Sequence, residues 1–172
     1  MAELAIRAEA ASDQTRVDRL VERAFGRPAE AALVRALRER ARPQISLVAE
    51  REGEIVGHVF FSPVRVGDGV DSAPPAAGLA PLSVAPEMQR RGAGAALVRA
   101  GLAACPVLGW RAVFLLGDPA YYARFGFALA APLGFRYESE AFDAGFQVLE
   151  LEPGALSGAA GLVHYHAAFA EL

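Results

Sequence analysis

The stretch Leu82-Ser83-Val84-Ala85-Pro86-Glu87-Met88-Gln89-Arg90-Arg91-Gly92-Ala93-Gly94-Ala95-Ala96-Leu97-Val98 reads as a strand, a polar turn and the start of a helix. Two glycines spaced Gly-x-Gly after a pair of arginines let the backbone pass close to a ligand. The helix that opens at Ala95-Ala96-Leu97-Val98 then presents amide N–H groups without intrahelical partners, together with the positive end of its dipole. Such a turn is an anion cradle, to which the guanidinium of Arg90 or Arg91 adds a charge-assisted contact. The same glycines also serve where a strand merely has to reverse into a helix. The turn is not a Walker A loop, because no Lys follows the second Gly, and it lacks the third Gly of the dinucleotide fingerprint.

The remaining 172-residue composition bounds what such a cradle can serve. A 53% hydrophobic content is enough for a packed core, and residues 1–172 are expected to form a single domain. A net charge of −3 argues against a duplex-binding face, so nucleic acid is not an expected partner. All 17 basic residues are Arg, and neither Lys nor Asn occurs, which excludes Schiff-base chemistry on a lysine and a P-loop lysine. Cys105 is the single cysteine, so an internal disulfide is excluded, and its place in Leu102-Ala103-Ala104-Cys105-Pro106 suits a buried helix-end thiol better than a nucleophile. With no signal-peptide pattern and no apolar run of membrane-spanning length, the expectation is a cytoplasmic protein with no membrane partner. Whether it acts alone or as a homodimer is left open.

Taken in order, Leu4 to Ala8 reads as a first strand, followed by a helix from about Asp13 to Phe25 with Ser12 as N-cap and Val17, Leu20, Val21, Ala24 and Phe25 on one face. A second helix from about Ala29 to Ala41 turns Leu33, Val34 and Leu37 inward and Arg35, Arg38, Glu39 and Arg40 outward, bounded by Pro28 and Pro43. Ile45 to Glu50 and Ile55 to Phe61, joined by Glu52-Gly53-Glu54, read as a hairpin. Gly67 to Ala77 reads as a loop before a strand at Gly78 to Val84, in which Pro81 predicts a bulge or a lost partner. The helix after the cradle runs to about Ala104, and Ala112 to Leu116 is a continuous apolar strand that implies a parallel crossover. A short helix follows in Gly117-Asp118-Pro119-Ala120-Tyr121-Tyr122-Ala123-Arg124-Phe125-Gly126-Phe127, opened by Pro119 and ended by Gly126. Phe146 to Leu151 and Gly161 to Tyr165 supply the last two strands, read as a final hairpin.

Gln89, Arg90, Arg91, Gly92, Ala93 and Gly94 match the Gln/Arg-x-x-Gly-x-Gly/Ala signature of the GNAT acetyltransferases, and the chain resembles that superfamily over nearly its full length. The second motif is Tyr-x-x-x-Gly-Phe at Tyr122, Gly126 and Phe127, and its Gly-Asp-Pro-x-Tyr-Tyr form is similar to the YhbS-like bacterial subgroup. The resemblance implies an α/β fold with a mixed sheet flanked by helices, the GNAT acyl-CoA N-acyltransferase fold. It also implies acetyl-CoA as cosubstrate, no metal, and an acceptor that is a small-molecule amine or a protein amino group. Residues Gln89 to Ala95 would then hold the pyrophosphate, while Leu82, Ser83 and Val84 would hold the pantetheine amides. The resemblance departs at Leu115, where many relatives carry an Asn. Asp118 is a partial replacement for that contact or simply the N-cap of the helix beginning at Pro119.

Direct attack on a thioester needs a neutral amine, a donor for the developing oxyanion and a proton for the leaving thiolate. Backbone N–H groups of Leu82 to Val84 are candidates for the donor, and Tyr122 is the family match for the acid. Its neighbour Tyr121 points ~100° away around a helix, so one of the two faces the sulfur. For the base, His58 titrates in range and Glu87 follows the cofactor strand, with a packed histidine, a solvated carboxylate and a water relay all open beside them. The alternative to an enzyme is a catalytically silent acyl-CoA-binding regulatory module.

Overall fold

The helix expected near Asp13 forms as α1 (Gln14–Phe25), and in the computed structural model it buries Val17, Leu20 and Val21. Its start differs from expectation. Residues Ala11–Asp13 form a 3-10 turn, and the Asp13 carboxylate, not Ser12, accepts the Ala10 N–H at 2.7 Å. Arg7 and Arg16, each 2.7 Å from it, fix that carboxylate as the stronger acceptor. Phe25 is exposed, because the helix ends on left-handed Gly26 before the apolar stripe closes over it.

The structure describes residues 2–67 and 74–172, so the expected loop at Gly67 to Ala77 falls largely outside the described residues; Ala76 and Ala77 already belong to β4 (Ala76–Val84). The chain divides into two units, Met1–Ser62 with Ala80–Ala104 and His166–Leu172, and Pro63–Leu79 with Cys105–Tyr165. The strand β3 (Glu54–Val66) and β4 supply residues to both.

In the first unit β1 (Ala5–Ala8) pairs antiparallel with β2 (Ile45–Arg51), which forms the expected hairpin with β3 across Glu52 and Gly53, both at positive φ. α1 and α2 (Ala29–Arg40) cover it, closing a core of Val17, Leu20, Val21, Val34, Val48 and Ile55. Each such side chain contributes about 1.5–3 kcal/mol on burial. Arg38, expected outward, is only 12% exposed and grips Glu9 with two bonds of 2.9 Å, because its stem lies along the apolar face. The helix α3 (Ala93–Ala104) approaches β3 closely. A Cβ on Gly101 would stand 2.1 Å from the Phe61 ring, and one on Gly57 2.9 Å from Leu97.

In the second unit the first residues of β4 run parallel to β5 (Ala112–Leu116), as a strand–helix–strand unit requires. Next, β5 pairs antiparallel with β8 (Phe146–Glu150), and β8 with the two-residue β6 (Ala128–Leu129). The expected final hairpin is not formed: β9 (Gly161–His164) pairs with the end of β3 and with β7 (Phe135–Arg136). Residues 151–160, with Pro153, Gly154 and Gly158, are too long and too broken a connection for a tight turn. Phe114 stacks on Phe146 at 5.6 Å and meets Phe135 edge-on at 5.5 Å to form the aromatic centre of this unit. The architecture is a mixed α/β fold with parallel and antiparallel strands flanked by helices.

Candidate active site

Opposite β2, β3 carries one extra residue, Val56, at the register shift between Ala49 and Glu50. Its carbonyl accepts the Ala85 N–H at 2.9 Å, fixing the chain where β4 ends. Ala85 and Met88 pack into the core beneath α1 and α2, so the 3-10 turn Pro86–Met88 is anchored from below. Glu87 is left outside. It pairs with Arg23 at 2.7 Å, and its own backbone amide together with that guanidinium holds its carboxyl below the usual range.

The turn then twists through Arg90 at φ 63° and Gly92 at φ 91°. The former is an unusual conformation for a residue with a side chain, and it leaves Arg90 and Arg91 exposed. The Ala96 N–H donates to the Gly92 carbonyl at 3.0 Å, so the amides of Ala93, Gly94 and Ala95 precede the first bond of that helical ladder. A Cβ built on Gly92 would meet nothing within 4 Å, so the surface beside the cradle is open. Gln89 turns back to the Val84 carbonyl at 3.3 Å. In β4, Leu82 and Val84 are half-buried, while Ser83 is 2% exposed with a hydroxyl that has no hydrogen-bond partner. Exposed guanidinium groups, early helix amides and an open glycine fit a phosphate-bearing ligand.

In the second unit, Asp118 accepts the Ala120 N–H at 2.9 Å and so caps α4 (Pro119–Tyr122). That contact is the helix cap weighed in the sequence. Tyr122 is half-buried; a Cβ on Gly117 would stand 2.6 Å from its ring, so the glycine makes room for the phenol. Tyr121 meets it edge-on at 4.9 Å and Phe127 at 5.9 Å. Burial, with Tyr121 adding to it, pushes the Tyr122 hydroxyl up to about 12. Tyr121 lies instead beneath Arg124, whose guanidinium sits 4.3 Å from its ring centre. Leu115, the position at which the resemblance departs, is 1% exposed and apolar.

His58, in β3, is fully buried. Its Nε2 lies 2.8 Å from Ser46 Oγ, which in turn lies 3.2 Å from Glu9. Burial, reinforced by the nearby Arg38 charge, drops its pKa to about 3, so the imidazole is neutral at neutral pH. Cys105 is buried and its thiol is pushed up to about 12, which agrees with an inert helix-end residue. Gln147, a fully buried polar residue beside the Tyr122 segment, was not singled out in the sequence. The signal was present: a lone amide amid the alternating apolar residues of Phe146-Gln147-Val148-Leu149. Among the described residues no three His, Cys, Asp or Glu side chains gather as metal ligands, and no helix is long and apolar enough to cross a membrane.

The model of the acetyltransferase (GNAT) domain matches residues 5–130. The chain is 42% identical over 166 residues to the uncharacterized N-acetyltransferase YhbS of Escherichia coli strain K12, covering 95% of this chain and 97% of that one. It superposes with a TM-score of 0.90 at 40% identity on a crystal structure of E. coli YhbS in complex with CoA, covering 99% and 93% of the two chains. A GNAT family acetyltransferase from Brucella melitensis in complex with acetyl-CoA gives a TM-score of 0.78 at 36% identity, covering 97% and 98%. The chain therefore belongs to the GNAT acetyltransferase family.

Proposed function

We propose that this protein transfers the acetyl group of acetyl-CoA to an amine of a small molecule or of a protein, with Tyr122 as the general acid. The observation that carries the reading is the cradle, where Gly92 at φ 91° opens onto free space ahead of a twelve-residue helix flanked by exposed Arg90 and Arg91. The solved relatives bound to CoA and acetyl-CoA support that choice of ligand. In this reading the amides of Gly92 to Ala95 and the two guanidinium groups take the pyrophosphate, with Gln89 bracing the turn. Leu82, Ser83 and Val84 align the pantetheine arm and supply backbone donors for the oxyanion.

The cosubstrate supplies an activated acyl carbon: the amine nitrogen forms the new C–N bond, the C–S bond breaks, and the thiolate leaves needing a proton. Tyr122 holds that proton at Oη, and its raised pKa keeps it protonated throughout the neutral range. Against a reference thiol near 8.5, a phenol at about 12 is about 3.5 units too weak. Desolvation raises a thiol as it raises a phenol, so the mismatch narrows to the extent that the bound cosubstrate excludes water from its sulfur. The amine proton leaves to water beside Glu87, the base candidate open to solvent; enclosed, neutral His58 is assigned to the core.

A screen of amines with free CoA as the readout tests the activity itself. In a responsive assay Tyr122→Phe lowers kcat by about 10²–10⁴-fold without weakening acetyl-CoA binding, while Tyr121→Phe does much less. Equal losses in the two variants would overturn the assignment of the acid. Acetyl-CoA binding with no thiol release across the screen would point instead to a silent binding module.

A further inference from the structure

Gln147 sits in the middle of β8, opposite Leu115 on one side and Leu129 on the other, and is 1% exposed. Its Nε2 donates to the Gly117 carbonyl and to the Gly145 carbonyl, both at 3.1 Å. The Gly145 carbonyl also accepts the Gly117 N–H at 2.9 Å. One amide thus ties the residue that follows β5 to the residue that precedes β8. The orientation of the amide is dictated by its neighbours, since a flipped Gln147 would aim its oxygen at two carbonyl oxygens. Its Oε1 is then buried without a partner. A buried acceptor without a partner is a cost that packing alone does not repay, so the two donor bonds are what the amide contributes here.

What the amide holds is the seat of Tyr122. Gly117 is the residue whose missing Cβ leaves room for the Tyr122 ring, and the next residue, Asp118, caps α4 and accepts the Tyr122 N–H at 3.1 Å. The other end of the segment rests on the same strand face, where Leu149, two residues beyond Gln147, lies 3.2 Å from a Cβ built on Gly126. Gln147 thus holds the residue two before α4 begins, and Leu149 backs the left-handed glycine that ends the 3-10 turn following it. We propose that Gln147 is a positioning residue for Tyr122, its amide clamping Gly117 so that the phenol is held in one place. This rests on the reading of Tyr122 as the acid.

A double-mutant cycle tests it on full-length protein, with acetyl-CoA and an amine found in the screen. Gln147→Met removes both donors at similar volume, and Gln147→Asn keeps the amide but is one carbon too short to bridge both carbonyls. Each is expected to lower kcat about 10- to 100-fold with KM for acetyl-CoA unchanged, a loss in line with a small misplacement of a reacting group. In the Tyr122→Phe background the same substitutions should cost little further, because there is no proton left to position. Gly117→Ala, which pushes the ring without touching the amide, should behave like Gln147→Met and serves if neither Gln147 variant folds. Equal losses in both backgrounds, or an unchanged kcat in the Tyr122 protein, would overturn the positioning role alone. A Tyr122→Phe protein with undiminished kcat would instead remove the acid reading, and the proposal with it.

Discussion

At the scale of single residues the cradle turns on Gly92. Its φ of 91° is open to glycine and strained for any β-branched residue by roughly 1–3 kcal/mol, and a side chain there would fill the space on which the ligand reading depends. Acetyl-CoA at a hundredfold excess over its dissociation constant should stabilise the folded protein by about 2.7 kcal/mol. Gly92→Val should abolish that gain. Gly109, at φ 84° with nothing within 4 Å of a Cβ, carries similar strain away from the cradle, so Gly109→Val should lower the melting temperature yet keep the acetyl-CoA shift. A normal ligand shift in Gly92→Val would sink the cradle assignment. The glycine was legible in the sequence because its neighbours fix its role: two arginines before, a helix after. Gln147 was legible only as a lone amide in an apolar run; its role was not, because its partners at positions 117 and 145 are set by strand pairing and turn geometry that no local pattern encodes.

At the scale of elements the decisive contact is between α3, whose first turn supplies the cradle amides, and β3. Helix propensity alone would favour Gly101→Ala by about 1 kcal/mol. The 2.1 Å separation from the Phe61 ring opposes it, and overpacking of this kind costs about 1–3 kcal/mol or more. The steric effect wins, so Gly101→Ala should destabilise the protein in urea unfolding and, by lifting α3, weaken acetyl-CoA binding. A stabilised variant would mean that the ring simply moves aside. Elements with long periodic patterns were legible: α1, α2, α3 and β2 begin and end within about two residues of where side-chain spacing puts them, whereas β3 starts as expected but runs on to Val66, past the expected end at Phe61. The exceptions have physical causes. β6 and β7 hold two residues each, too few to show an alternation, and β9 finds its partners at β3 and β7, far off in sequence. Arg38 reads as a surface charge until Glu9 and Asp18, 29 and 20 residues away, are brought to it.

For the whole molecule, the charges buried during folding set how stability responds to acid. His58 titrates near 6.5 in the unfolded chain and near 3 in the native one, so across that interval the unfolded chain binds a proton that the native chain refuses. Stability therefore falls as pH drops from about 6.5, by up to roughly 1.4 kcal/mol per unit, and the loss levels off near 3, where native His58 also protonates. Asp13 acts in a lower window. Its carboxylate, held far below the usual range chiefly by Arg7, contributes fully above about 4 and is lost only as pH falls beneath that. The two windows separate between pH 4.5 and 6.5, where His58 is exchanging its proton linkage and Asp13 is silent. His58→Gln, which keeps a polar atom for Ser46 and removes the titration, should flatten unfolding free energy against pH in that interval while leaving the fall below pH 4 in place. The same variant separates the core from the chemistry: an acid limb of kcat/KM in the histidine range that survives His58→Gln belongs to the substrate amine or another group. If the stability slope between pH 4.5 and 6.5 is unchanged in the variant, His58 is not the neutral buried group, and its place as a base would return with it.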